Sequence, residues 1–128
     1  MPNSLRLEFF YEFASTYSYL SAIRIAQLGE QAGIGIVWRP FLLGPIFASQ
    51  GWTTSPFNLY PAKGRYMVRD IERIAAGRGR AFVMPHTFPA NGLAAARLAI
   101  CGEDAGWISE FTRRVYEAQF EQIGRAHV

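Results

Sequence analysis

The chain has 128 residues and a formal net charge of +3 at pH 7, with 50% of its residues hydrophobic and 18% charged. This composition excludes a disordered chain and predicts one globular domain with a hydrophobic core. We expect neither a membrane span nor a secretory signal, because the sequence lacks the apolar runs that they need. The single cysteine, Cys101, excludes a disulfide framework and favours the reducing cytoplasm. Basic residues form no tract with interleaved aromatic residues, so nucleic-acid binding is not expected.

The start of the chain predicts a strand that runs into a helix. Apolar residues alternate from Leu5 to Phe13, and a period of two indicates a β-strand. The residues between them are Arg6, Glu8, Phe10 and Glu12. From Ser15 the period becomes helical, with Ser15 as the N-terminal cap and Gly33 near the end. The face expected to be buried carries Leu20, Ile23 and Ala26.

A second strand follows, and after it only helices are predicted. The run from Ile34 to Trp38 is rich in β-branched residues, which favours a strand that Pro40 ends. Such a strand–helix–strand unit most often forms a parallel pair with a right-handed crossover. Residues 42–51 suit a loop and a short helix, residues 53–58 suit a loop, and Cys101 suits a small core position. Later helices are expected from Pro61 to about Gly77, from Asn91 through Ile100, and from Trp107 to Gln122, the last with Phe111, Val115 and Ala118 inward.

The residues around Ser15 resemble those of a known family. Residues 13–20 read FASTYSYL, similar to the F-x-S-P-Y-S-Y-L of 2-hydroxychromene-2-carboxylate isomerases and the related kappa-class glutathione transferases. These enzymes form a DsbA-like branch of the thioredoxin-like superfamily. The further segments that carry the resemblance are WRPFLLGPIF from Trp38, PAKGRYM from Pro61 with Asp70 after it, and the Phe88-Pro89 loop before an alanine-rich helix. Together they cover the chain from Leu5 to about Gln122.

The resemblance implies an α/β, thioredoxin-like fold with a βαβ start and an inserted helical subdomain. The βαβ part would occupy residues 1–41 and the all-helical insertion residues 42–122. Two strands alone cannot shield a sheet. Either helices cover it from all sides, or its second half is missing from a C-terminally truncated chain, and we favour the second.

The resemblance also implies glutathione as the cofactor and Ser15 as the catalytic residue. A thioredoxin-like fold places the first cysteine of a C-x-x-C pair at this position, but here Ser15 and Ser18 exclude dithiol chemistry. A helix N-terminus favours a thiolate, and the Ser15 hydroxyl can donate a hydrogen bond to the glutathione sulfur. The simpler alternative is that Ser15 only caps the helix. Tyr17 is expected to border the cofactor site, with packing in the aromatic core as its alternative.

A second group of residues is expected to form the substrate pocket. The residues of this group are Trp52, Thr53, Asn58 and Lys63. Lys63 or Asn58 would contact a carboxylate, whereas the plainer alternative is a polar loop with one packed tryptophan. Thr16 replaces the usual proline of the family and Ala48 a frequent lysine, which leaves the substrate open. Cys101 and His86 are not spaced as metal ligands, so no metal is expected.

The leading prediction is a cytoplasmic, glutathione-dependent cis–trans isomerase of an aromatic, 2-hydroxychromene-2-carboxylate-like substrate. One alternative is a glutathione transferase-like conjugating enzyme, and another is a non-catalytic thioredoxin-like binding module. Neither nucleic acid nor a membrane is an expected partner. A homodimer remains open for the full-length protein.

The last six residues break the helical pattern that precedes them. Residues 123–128 read IGRAHV, which matches one reading frame of a common sequencing adapter. We expect a natural chain that continues past Gln122 and a non-native tail, so the tail, with His127, is excluded from fold reasoning. A stop codon directly after Val128 in clean genomic DNA would contradict this expectation.

Overall fold

Two strands and a series of helices make up the computed structural model, which describes residues 5–54, 56–85, 88 and 91–121. The elements in chain order are β1 (Arg6–Tyr11), α1 (Thr16–Ala32), β2 (Gly35–Pro40), α2 (Leu43–Ser49), α3 (Pro56–Leu59), α4 (Pro61–Gly77), α5 (Leu93–Ala105) and α6 (Ile108–Phe120). His86, Gln122 and the predicted tail lie outside the described residues. The division into 1–41, 42–122 and 123–128 therefore stays a prediction.

The strand–helix–strand unit forms as predicted. β1 and β2 are parallel, with Arg6 opposite Gly35 and Tyr11 opposite Pro40. Ser15 is the N-cap of α1, and its side chain accepts a hydrogen bond from the Ser18 N–H. Gly33 ends the helix in the left-handed conformation, at a φ of 71°, which glycine adopts without steric cost. Local sequence signals therefore determine this unit.

Aromatic side chains of β1, α1 and α6 form the centre of the core. Those that are completely or almost completely buried are Tyr11, Phe13, Tyr19, Tyr116 and Phe120. The Tyr11 hydroxyl lies 2.8 Å from Thr112 Oγ1, and the Tyr116 hydroxyl donates to the backbone oxygen of Glu12 at 2.7 Å. Burial raises the pKa of Tyr11 to about 12, so this phenol stays protonated at neutral pH. Each of these two buried hydroxyls has a partner, which limits the cost of its burial.

The helices differ from prediction in how they begin and end. Residues 53–58 were expected as a loop, but α3 begins at Pro56. The helix predicted from Asn91 through Ile100 is longer at its end: α5 continues through Gly102 to Ala105 and ends at Gly106, which has a positive φ of 84°. Glycine is needed at position 102 because a Cβ there would lie 2.6 Å from Cδ2 of Trp107. The glycine permits a close approach of that indole ring.

The buried faces of the helices also differ in part from the prediction. Cys101 is exposed rather than in the core, because α5 packs through Ala96, Ala99 and Gly102. Ala26 is exposed as well, whereas Leu20 is buried as expected. The predicted stripe of α6 is only half-buried. Its fully buried stripe is the neighbouring one, with Ile108, Thr112, Tyr116 and Phe120.

The described sheet has two strands, and β1 leaves apolar residues exposed. Leu7 and Phe10 have 49% and 59% of their surface exposed.

No helix within the described ranges combines the length and the apolar character needed to cross a membrane.

We predict that Gly102→Ala destabilises the protein by about 1–3 kcal/mol, because its Cβ would overlap the Trp107 ring. The control is Gly77→Ala in the last turn of α4, where a Cβ would meet no atom within 4 Å. That change is expected to be neutral or to stabilise by up to about 1 kcal/mol. Urea unfolding of both variants measures the difference, and equal stabilities would show that the Trp107 contact is unimportant.

Candidate active site at the start of the first helix

A cavity of about 870 Å³ opens at the N-terminus of α1. Its walls come from the β1–α1 junction, from residues 42–54 around α2, from Met67 of α4, and from Phe88, Asn91 and Gly92. The volume lies within the range of about 300–1,000 Å³ that small-molecule sites have. Most of its lining is apolar, so the cavity suits an organic molecule with few polar groups.

Ser15 lies in the cavity wall at the N-cap of α1. Its Oγ accepts a hydrogen bond from the Ser18 N–H at 3.1 Å, and its own N–H donates to the Glu12 carbonyl at 3.0 Å. A serine hydroxyl has one proton and two lone pairs, so the Ser15 proton remains available to a ligand. The first turn of a helix also carries unpaired N–H groups and the positive end of the dipole. This corner of the cavity therefore suits an anion such as a thiolate.

Tyr17 also lines the cavity, but its hydroxyl is already paired. The hydroxyl donates to Asp70 Oδ2 at 2.8 Å, which ties α1 to α4. Partial burial and the neighbouring Asp70 carboxylate raise the pKa of Tyr17 to about 12. Tyr17 therefore stays protonated at neutral pH, and its bond to Asp70 holds this part of the cavity lining against α4.

Trp52 and Thr53 are the two predicted pocket residues that line the same cavity. The Trp52 ring stacks on Phe47, with the ring centroids 5.4 Å apart and the planes 28° from parallel. Tyr60 packs edge-on against Trp52, with the ring centroids 6.5 Å apart. Phe47 and Trp52 both line the cavity and give it an aromatic wall, which favours packing against a planar ligand.

The structure does not bring Asn58 or Lys63 into this cavity. The Asn58 amide donates to Thr54 Oγ1 and to the Phe88 carbonyl, both at 3.1 Å. Asn58 thus connects two segments of the cavity wall and lines a neighbouring, smaller depression. Lys63 is exposed in the first turn of α4.

Glu12 is the cavity residue that the sequence did not reveal. It belongs to the polar set of the alternating strand, but β1 ends at Tyr11 and Glu12 is only 5% exposed. Its Oε2 accepts from the Ala14 N–H at 3.1 Å, and its Oε1 accepts from the Leu43 N–H at 2.8 Å. Leu43 begins α2, whose own N-cap, Leu42, has no side-chain hydrogen bond. Glu12 therefore caps a helix that lies far from it in sequence.

An acidic residue between aromatic residues at a strand end is the signal that could have identified Glu12. Glu12 is the charged member of the cavity lining within the described part of the chain. Within the same residues, no three His, Cys, Asp or Glu side chains lie close enough together to hold a metal ion.

A parallel βαβ unit with a polar group at the start of its helix is the beginning that the sequence predicted for a thioredoxin-like fold. The family model of the DSBA-like thioredoxin domain matches residues 6–126, and the chain therefore belongs to this family. The expected fold class is confirmed by this match and by a solved 2-hydroxychromene-2-carboxylate isomerase (HCCA isomerase) structure. That structure superposes with a TM-score of 0.79 over 92% of this chain and 57% of its own, at 19% sequence identity.

Two curated relatives agree with the resemblance read from the sequence. Glutathione S-transferase kappa 1 of Caenorhabditis elegans is 32% identical over 76 residues, which are 59% of this chain and 33% of that protein. The 2-hydroxychromene-2-carboxylate isomerase of Sphingobium xenophagum is 30% identical over 86 residues, which are 66% of this chain and 42% of that protein. The matched part thus spans less than half the length of each relative.

We predict that Glu12→Gln lowers the free energy of unfolding by about 1–3 kcal/mol. Glutamine keeps the shape but replaces one acceptor oxygen by an NH₂ group, so the N–H of Ala14 or Leu43 loses its partner. The control is Glu8→Gln on β1, where the carboxylate is exposed and pairs with Arg39 at 3.1 Å. That change should cost less than about 1 kcal/mol. Equal losses in urea unfolding would show that the buried contacts of Glu12 do not matter.

Proposed function

We propose that the protein is a glutathione-dependent cis–trans isomerase of a conjugated aromatic compound of the 2-hydroxychromene-2-carboxylate type. The observation that carries the proposal is the position of Ser15, at a helix N-terminus in the wall of a largely apolar cavity. The names of the two relatives support both the use of glutathione and the isomerase reaction. The single cysteine of the chain supports action in the cytoplasm.

The residues of the site fit a bound thiol. When bound, glutathione supplies a thiolate that adds reversibly to a conjugated double bond and so allows rotation about it. Ser15 would donate its free proton to the sulfur, and the N-terminus of α1 would favour the charged form. A charge-assisted hydrogen bond of this kind contributes about 1.5–3 kcal/mol. Ser15 thus acts as the holder of the thiolate rather than as a nucleophile.

The aromatic wall would bind and orient the substrate. The stacked rings of Phe47 and Trp52 would hold a planar substrate against the start of α1, with Thr53 at the rim. A fixed orientation converts an encounter between two molecules into a reaction within one complex. Asn58 and Lys63 stay outside this proposed site, because neither lines the cavity.

A glutathione transferase-like conjugating enzyme is the second candidate, and the kappa 1 relative favours it. Both reactions need the same held thiolate. They differ in its fate, because an isomerase releases glutathione unchanged whereas a transferase leaves it bonded to the product.

We predict that Ser15→Ala in the full-length protein lowers isomerase turnover by about 10- to 100-fold, because the sulfur loses a charge-assisted hydrogen bond. The loss of the cap also costs about 1 kcal/mol of stability, so Ser15→Thr, which keeps the hydroxyl, is measured beside it. Ser21→Ala, an exposed serine further along α1, is the matched control and should keep full activity.

The assay follows the absorbance of a hydroxychromene carboxylate together with the concentration of free glutathione. Constant glutathione with isomerised product supports the isomerase, and stoichiometric consumption supports the transferase. If Ser15→Ala and Ser21→Ala have equal turnover, Ser15 only caps the helix and has no part in the reaction. If neither reaction occurs and glutathione does not shift the Tm, both enzyme proposals are rejected and the non-catalytic binding module is favoured.

A further inference from the structure

Among the residues that the structure describes, one buried hydroxyl in the cavity wall has no hydrogen-bond partner. Thr16 is the first residue of α1, directly after Ser15, and only 1% of its surface is exposed. It lines the cavity, and its Oγ1 is unpartnered in the part of the chain that the structure describes. Buried polar groups are nearly always paired, because an unpaired one loses its hydration without compensation. The exception at Thr16 therefore calls for a reason.

Comparison with the other buried threonine shows what is unusual. Thr112 is 0% exposed, and its hydroxyl pairs with the Tyr11 hydroxyl at 2.8 Å. The second unpartnered buried atom among the described residues, Nε2 of Gln119, belongs to α6 and does not line the cavity. Thr16 thus combines an unused, solvent-inaccessible hydroxyl with a place in the cavity lining.

Packing alone does not explain a threonine at this position. Valine has nearly the same shape and would fill the same space without an unpaired hydroxyl. Threonine keeps one proton and two lone pairs available, and in helices it divides between two χ1 rotamers, so its hydroxyl can change direction. One lone pair of the neighbouring Ser15 hydroxyl already accepts a hydrogen bond from the Ser18 N–H. Once the Thr16 hydroxyl turns toward the cavity by this change of χ1, a ligand at the start of α1 would meet two adjacent hydroxyl donors.

We propose that the Thr16 hydroxyl is a second donor to the glutathione sulfur and, with Ser15, positions it as the thiolate. This inference rests on the proposed function, since it presumes that a thiol binds at this helix N-terminus. The unpaired hydroxyl lowers the stability of the ligand-free protein and gains its partner when the thiolate binds.

The test compares Thr16→Val with Thr112→Val in the full-length protein. Without ligand, Thr16→Val should keep or raise the Tm by a few degrees, because it removes an unpaired buried hydroxyl. Thr112→Val should lower the Tm, because it breaks the bond to Tyr11. With glutathione, Thr16→Val should raise the pKa of the bound thiol, measured by thiolate ultraviolet absorbance against pH, by about one unit. Thr16→Ser should restore the wild-type thiol pKa.

Two results overturn this inference while leaving the proposed function intact. One is a Thr16→Val protein that binds glutathione with the wild-type affinity and thiol pKa. The other is a ligand-free Thr16→Val protein as destabilised as Thr112→Val, which would mean that the hydroxyl has a structural partner. A wild-type protein that does not bind glutathione would instead reject the proposed function, and this inference with it.

Discussion

Two segments that are distant in sequence meet at the carboxylate of Glu12, and the shape of the cavity depends on that meeting. One oxygen holds the N–H of Ala14 in the turn before α1, and the other holds the N–H of Leu43 at the start of α2, 31 residues away. The Glu12 carbonyl accepts from the Ser15 N–H and from the Tyr116 hydroxyl. A buried carboxylate is costly unless it is well bonded, so these contacts must form together. They hold Ser15 and the start of α2 in place in the cavity wall.

The same junction shows how polar groups can serve a site in a mostly apolar cavity. Tyr17 is committed to Asp70 and Glu12 to two backbone amides, so neither is free to act on a ligand. At the start of α1, the Ser15 proton and the Thr16 hydroxyl have no hydrogen-bond partner among the described residues. Preorganised donors of this kind act strongly where water is excluded. Leaving a buried hydroxyl unpaired lowers stability, and proteins commonly accept such a loss at functional sites.

The sequence predicted those features that depend on neighbouring residues. Alternation in β1, the Ser15 cap and the Gly33 end are local signals, and the parallel βαβ unit followed from them. Glu12 was missed because its burial depends on Leu43, and no local pattern contains that contact. The helix through Gly102 was missed for a similar reason, since the glycine accommodates the Trp107 ring rather than ending the helix. Asn58 was expected at the substrate, and its role stays a prediction; in the structure its amide donates to Thr54 Oγ1 and to the Phe88 carbonyl.

The most direct test of the central claim is a crystal structure of the full-length protein with glutathione. We expect the glutathione sulfur within about 3.5 Å of Ser15 Oγ, at the N-terminus of α1 and facing the Trp52 wall. A sulfur bound away from α1, or a cavity that stays without glutathione at a saturating concentration, would contradict it.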